Sequence, residues 1–226
     1  MRLHYAIISG LSRWAFRLVV GLRTTGMEHI PRTGKVIFAS NHRSNYDPPL
    51  LGGTIPREVH FFAKEELFKR PGISQFLKSL NAFPVRRGQL DRKALSTCLK
   101  ILSDDGALIF FPEGTRAPAD GFLKAKLGIG WLICKSKAPV LPVYIHGSTI
   151  EKERTAKRPA VDIVFGKAVT AEQLMAGLDE SRGAYQAVAD RVLESIRELS
   201  LSTPDNRVIR KGKIYDRGII EDGKLR

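Results

Sequence analysis

The chain has no run of about 20 uninterrupted apolar residues, which is the length a membrane-crossing helix needs. Residues 1–23 come nearest, but Arg13 and Arg17 break the run. The basic residues lie inside it and not ahead of it, which is not the layout of a signal peptide. Cysteine is scarce. Cys98 and Cys134 form no C-x-x-C pair, so a disulfide framework is not expected, and two buried thiols in a reducing compartment is the simpler reading. No H-x-x-x-H or clustered Cys/His spacing occurs, so the sequence calls for no metal and no other cofactor. Acids are outnumbered by bases, 23 to 37. The resulting net charge of +14 points to anionic partners: phosphate groups, acidic lipid surfaces or acidic carriers. Nucleic acid is disfavoured, because the aromatic residues sit in apolar runs and do not interleave with the basic ones.

With 226 residues and 43% hydrophobic content, the chain suits one globular domain. The expected organisation is an amphipathic, membrane-associated helix over residues 1–23, a catalytic or binding domain over 24–202 and a charged tail over 203–226. In the first segment Leu3, Ile7, Leu11, Trp14, Leu18 and Leu22 fall on one stripe roughly 120° wide at about 100° per residue. Arg2, Arg13 and Arg17 lie off that stripe, the pattern of a helix lying in a membrane interface. A helix that merely caps the protein's own core is the competing expectation.

Along the body, short apolar runs alternate with helical patterns. Strands are expected at 35–40, 58–63, 82–85, 107–111, 140–145 and 161–165. Helices are expected at 64–69 and 72–80 (split by Pro71), 91–103, 127–136 and 185–201, with one or two helical turns at 47–53. Residues 24–34 read as a connector. Such alternation implies an α/β fold: a single domain with a mainly parallel central sheet flanked by helices. Ligands in these sheets sit beyond the carboxyl ends of the strands, so the residues after each strand matter most.

After the first strand comes Asn41-His42-Arg43-Ser44-Asn45-Tyr46-Asp47. His42 and Asp47 would lie about 140° apart on a helix and could meet only across a turn, which Ser44 and Asn45 permit. An imidazole held by a carboxylate is a competent general base near neutral pH. The plain alternative makes Asp47-Pro48 a helix start and His42 a loop residue. Lys64 ends the second strand, and Arg86-Arg87 come after the third, where guanidinium forks suit oxyanions. The strand at 107–111 leads into Pro112-Glu113-Gly114-Thr115-Arg116, with a glycine that admits close approach and side chains that donate to phosphate.

Together these blocks resemble the glycerolipid acyltransferases typified by 1-acylglycerol-3-phosphate acyltransferase. Asn41 through Asp47 matches the family's NHxxxxD motif, and Ala82 to Arg87 matches its second block. Phe111 to Arg116 reads FPEGTR in full, and Val140-Leu141-Pro142-Val143 matches the proline-bearing fourth block. The likeness runs from about Gly26 to Gly166. It implies His42 as base with Asp47 as its partner. Lys64, Arg87, Glu113, Gly114, Thr115 and Arg116 would bind the substrate, and Pro142 would shape the acyl or acceptor pocket. Asn81 departs from the family, standing where the second block often has glycine. Ala125 departs too, replacing an aromatic before the lysine matched by Lys126.

The implied activity is acyl transfer from an acyl-carrier protein or acyl-CoA thioester to the sn-2 hydroxyl of lysophosphatidate, giving phosphatidate, at the cytoplasmic face of a membrane bearing anionic lipids. Another lysophospholipid or an aminoacyl lipid is the alternative acceptor. A non-enzymatic basic module binding membranes or nucleic acid would explain the charge and the N-terminal helix, but neither motif block.

Overall fold

In the computed structural model of the chain, residues 2–86, 91–118, 121–149, 161–179 and 181–202 are described, with short strand segments at 213–215, 220–221 and 224–225. The strands of the body are β1 (Arg23–Thr25), β2 (Val36–Ser40), β3 (His60–Lys64), β4 (Ala82–Val85), β5 (Ala107–Phe110), β6 (Gly121–Leu123), β7 (Val140–His146) and β8 (Asp162–Phe165). Seven of them form one sheet in the order β1-β8-β7-β2-β5-β3-β4, parallel at every pairing except β7 with β8. Strand β6 lies outside it and pairs with β9 (Lys213–Tyr215), so part of the tail joins the body. Both β1 and β6 fall where the sequence shows only a connector or no element, because three residues are too few to display a period.

Strands β2 and β5 are buried at every residue, and β7 at every residue but His146. Such strands carry unbroken apolar runs because helices cover both faces. The helices are α1 (Leu3–Val20), α2 (Asp47–Thr54), α3 (Pro71–Ser79), α4 (Arg92–Ser103), α5 (Leu127–Ser136), α6 (Ala171–Met175) and α7 (Arg182–Leu201), and a 3₁₀ turn spans Glu65–Lys69. Alternate side chains divide the core. Ile37, Leu108 and Tyr144 pack with Ile129 of α5 and Val188 and Ile196 of α7. Phe38, Ile109 and Val143 face the other way, toward Leu50 and Leu51 of α2 and Val20 of α1. Asp91 caps α4 as its sequence predicts, accepting from the Ala94 N–H at 3.0 Å.

Helix α1 has one face docked on the body and one apolar face in solvent. Its inner face docks on the body: the Val59 N–H donates to the Tyr5 hydroxyl at 3.3 Å, and Arg13 Nε donates to the Gly53 carbonyl at 3.1 Å. A Cβ at Gly53 would stand 3.1 Å from Ser12, so α1 and α2 touch where only glycine fits comfortably. Its outer face leaves Leu3, Ile7, Leu11, Trp14 and Leu18 exposed. Leu22 is the exception to the predicted stripe. Gly21 adopts a left-handed conformation that ends the helix, and Leu22 turns into the core. Among the described residues, no helix is long and apolar enough to cross a membrane.

Asn81, the departure from glycine, has φ +63°. That left-handed region explains the family's glycine, and asparagine tolerates it better than most other residues. The side chain also does something a glycine cannot. Its Oδ1 accepts from the Arg2 guanidinium and its Nδ2 donates to Glu58 at 3.1 Å, tying the start of α1 to the turn before β4.

Candidate active site

Strands β2 and β5 run level, Ala39 beside Phe110, and leave the sheet together at its carboxyl edge. The two segments that emerge there are bonded to each other. Asn41 continues the sheet with its side chain: Nδ2 donates to the Ile145 carbonyl at 2.9 Å, and Oδ1 accepts from the Ile145 N–H at 2.8 Å. Only a primary amide offers donor and acceptor in that geometry. The backbone can therefore turn away at His42. The His42 N–H donates to Glu113 Oε1 at 3.0 Å, and the His42 carbonyl accepts from the Ala117 N–H at 2.7 Å. Both polar groups of the His42 backbone are thus bound to the segment carrying Pro112 to Arg116.

The turn allowed by Ser44 and Asn45 forms. His42 Nδ1 donates to Asp47 Oδ2 at 2.8 Å, and the N–H groups of Arg43 and Ser44 donate to the same oxygen, each at 2.7 Å. Asp47 is the first residue of α2, and it does not cap that helix with its side chain. The carboxylate reaches back toward His42, aided by the positive end of the helix. Asp47 is fully buried and His42 is 5% exposed. The imidazole stacks on Phe111, centroids 4.2 Å apart at 24°. With Nδ1 engaged, Nε2 is the nitrogen left to meet a substrate. A ring held by Asp47, by stacking and by its own backbone has almost no freedom to reorient, which is what a positioned base requires.

Glu113 is a substrate-binding residue by resemblance, but its surroundings give it another role. It is fully buried, with Oε1 on the His42 N–H and Oε2 on the Leu123 N–H at 2.6 Å. It positions the His42 loop against β6 and presents no oxygen to a ligand. Burial pushes its carboxyl up to about 7, against the opposing pull of the Leu123 and His42 N–H groups and the Arg43 charge, and with a small further push from Asp47. A folded-state value raised above the unfolded one means that the folded state holds its proton longer. Stability therefore falls as pH rises from about 4.5 to about 7, by about 3 kcal/mol in all, and levels off above that. Glu113→Gln should flatten this slope in urea titrations at several pH values. It should also lower kcat/KM about 10- to 100-fold, because an amide serves one of the two N–H donors and opposes the other. Unchanged activity and an unchanged slope would exclude this role.

The other expected binding residues divide. Gly114 adopts φ +66° in a turn closed by its N–H on the Phe111 carbonyl at 3.0 Å, which carries Thr115 and Arg116 outward. Thr115 is half-buried and Arg116 exposed. The Lys126 side chain packs 3.3 Å from where a Gly114 Cβ would stand, adding a cation beside the turn. Lys64 is exposed at the end of β3, on the same edge of the sheet, with β5 between β3 and β2. Arg87 lies outside the described residues. Arg86, just before it, pairs with Glu65 at 2.9 Å. Pro142 is buried within the sheet. It sits inside β7, its carbonyl accepting from the Gly166 N–H at 2.9 Å, with its ring 2.9 Å from where a Gly166 Cβ would be. It marks where β8 pairing stops, a position that tolerates a residue without an N–H.

Two residues near the site have no role legible in the sequence. Phe111 forms the wall behind His42, and although it opens the FPEGTR block the sequence assigned it no role of its own. Arg43 is buried, its guanidinium 5.6 Å from the Phe122 ring and 5.9 Å from that of Tyr144, with Nη2 on the Gly121 carbonyl at 3.4 Å. Arg43 and Glu113 so hold the two ends of β6. Neither cysteine competes as a nucleophile. Both are buried, on α4 and α5, and burial pushes the Cys98 thiol up to about 12. Among the described residues no group of three or more His, Cys, Asp or Glu is placed to hold a metal ion.

A histidine–aspartate pair at the mouth of a mainly parallel sheet, buttressed by a Pro-Glu-Gly-Thr-Arg turn, defines a class, and the comparisons agree. Residues 21–146 match the acyltransferase family, and the chain belongs to it. Among its relatives, the 1-acyl-sn-glycerol-3-phosphate acyltransferase of Bacillus subtilis is 30% identical over 148 residues, covering 65% of this chain and 73% of that protein. The Pseudomonas aeruginosa protein of the same name is 33% identical over 170 residues, 70% of this chain and 64% of that one. The crystal structure of the 1-acyl-sn-glycerophosphate (LPA) acyltransferase PlsC from Thermotoga maritima superimposes with a TM-score of 0.68 at 28% identity, over 86% of this chain and 79% of the other.

Proposed function

We propose that this acyltransferase esterifies the sn-2 hydroxyl of lysophosphatidate with a fatty acyl group from a thioester, yielding phosphatidate. The observation that carries the reading is the buried His42–Asp47 pair, with Nε2 left for a hydroxyl and Glu113 and Ala117, on either side of Thr115-Arg116, bound to the same histidine's backbone. His42 Nε2 takes the hydroxyl proton as the acceptor oxygen bonds to the thioester carbon. The tetrahedral species collapses with cleavage of the C–S bond, and the departing thiolate recovers the proton from the imidazolium. Asp47 stabilises that imidazolium, and no acyl-enzyme intervenes. General base catalysis of this kind contributes about 10²- to 10⁴-fold, and the orientation of two bound substrates contributes more.

Arg116, Lys64, Thr115 and Arg87 are the proposed phosphate ligands, with Gly114 letting the backbone approach. The donor is an acyl-carrier protein or acyl-CoA, both anionic and suited to a chain of net charge +14. The exposed leucine and tryptophan stripe of α1 lies in the interface of an anionic membrane as a peripheral or monotopic contact, at its cytoplasmic face.

The test is product analysis. Purified protein with lysophosphatidate and an isotope-labelled acyl thioester should give labelled phosphatidate, read by mass spectrometry for both donor types. Arg116→Ala should raise KM for lysophosphatidate about 10- to 100-fold, the worth of a charge-assisted contact, and leave rates with headgroup-free monoacylglycerol unchanged. An equal loss with both acceptors would remove Arg116 from the phosphate, and no phosphatidate with any donor would overturn the substrate.

A further inference from the structure

The 3₁₀ turn Glu65–Lys69 and α3 leave a second apolar patch in solvent. Leu67 is 37% exposed, Ile73 38% and Phe76 54%. Neither the acyl-transfer chemistry nor α1 accounts for them. Ile73, Phe76 and Leu77 of α3, with Leu80 just past its end, fall on one stripe about 100° wide, and Ser74 is the residue of the helix that is buried. Large apolar side chains clustered in water mark a contact surface, where a scattered few would not.

The patch adjoins α1. His4 Nε2 lies 3.3 Å from the Ser79 carbonyl. Ile8 and Ser9 of α1 line, with Phe76 and Leu80, an apolar cleft of about 190 Å³ between the two helices. The cleft meets α1 on its docked side, at Tyr5, Ile8, Ser9 and Ser12, and the exposed stripe of α1 lies outside it. Bases outnumber acids around the patch four to two, since Glu65, held by Arg86 at 2.9 Å, and the exposed Glu66 lie in the same 3₁₀ turn. Lys64, Lys69, Arg70 and Lys78 are exposed, and among the described residues no carboxylate pairs with any of them. Apolar side chains ringed by such bases fit the acyl–headgroup boundary of an anionic bilayer: the rings and branched chains enter, and the cations stay with the phosphates.

We propose that the segment from Glu65 to Leu80 is a second contact with an anionic lipid surface, seated beside α1. A second contact next to the first would fix the orientation of the body as well as its attachment. The inference rests on the reading of α1 as membrane-facing, so the experiment tests the two helices separately.

Full-length protein, Ile73→Gln/Phe76→Gln and Leu11→Gln/Trp14→Gln are compared for co-flotation with vesicles of phosphatidylcholine containing phosphatidylglycerol, after thermal midpoints show that each is folded. Each double variant should partition about tenfold less. Lys69→Glu/Lys78→Glu should lose at least about tenfold on these vesicles and nothing on phosphatidylcholine alone. As a second measurement, an environment-sensitive dye is placed on Phe76→Cys, where the burial of Cys98 and Cys134 makes labelling selective. Its emission should shift to the blue when anionic vesicles are added. If the α3 variant floats like wild type while the α1 variant does not, or if the dye does not shift, this contact is overturned and the α1 reading stands. If both variants float like wild type, the α1 reading falls and this inference with it. A concentration-dependent shift without vesicles identifies a second copy of the chain as the occupant, and also overturns it.

Discussion

His42→Ala should lower kcat by about 10³-fold or to background, with KM for the acceptor changed by no more than about threefold. The asymmetry comes from the geometry. The hydroxyl proton goes to Nε2, an interaction that strengthens only in the transition state, whereas the groups proposed to hold the phosphate lie on other segments. The variant should also fold. Asp47 Oδ2 keeps the N–H groups of Arg43 and Ser44 after the imidazole is gone, so no buried charge is stranded. Steady-state kinetics in detergent with a thermal melt of the same sample tests both halves. Turnover within tenfold of wild type would remove His42 from the chemistry.

Asp47 gives the second large effect, and here asparagine and alanine part company. At the Oδ2 position three donors converge, so an asparagine should turn its oxygen there. The fold and the imidazole tautomer then survive. What is lost is the negative charge that stabilises the imidazolium, and the new amide N–H₂ falls where Oδ1 is buried with no hydrogen-bond partner. Asp47→Asn should reduce kcat about 10²- to 10⁴-fold and cost about 1–3 kcal/mol of stability. Asp47→Ala strands the two backbone donors in the interior and should cost more, about 3–5 kcal/mol, visible as a lower urea midpoint. Equal stability of the two variants would mean that the backbone contacts contribute nothing.

Much of this site was legible in the sequence, because its chemistry sits at strand ends and strand ends can be read. The runs VIFAS and ALIF are too apolar for any place but the middle of a covered sheet, and each hands directly to a motif. Whether His42 and Asp47 meet was not legible, since that depends on three bonds converging on one carboxylate oxygen. The role of Glu113 was hidden for a related reason. A glutamate between Pro112 and Gly114 looks like a surface turn residue until β6 is seen against it, and β6 is three residues long. The exposed apolar stripe of α1 was readable from its period, but its docked face was not, because Tyr5 and Ser9 differ little in sequence from residues that remain in water. Asn81 looked like an imperfection in its block and is instead a residue with two uses.

The tie among Arg2, Glu58 and Asn81, together with the Tyr5 and Arg13 contacts, bears on how this enzyme should be handled in the laboratory. Trimming the first twenty-odd residues to obtain a detergent-free preparation would bare the α2 surface around Gly53 and strand a donor on the Val59 backbone. Replacing Leu3, Ile7, Leu11, Trp14 and Leu18 with polar helix formers, while leaving the inner face untouched, is the route to a tractable sample.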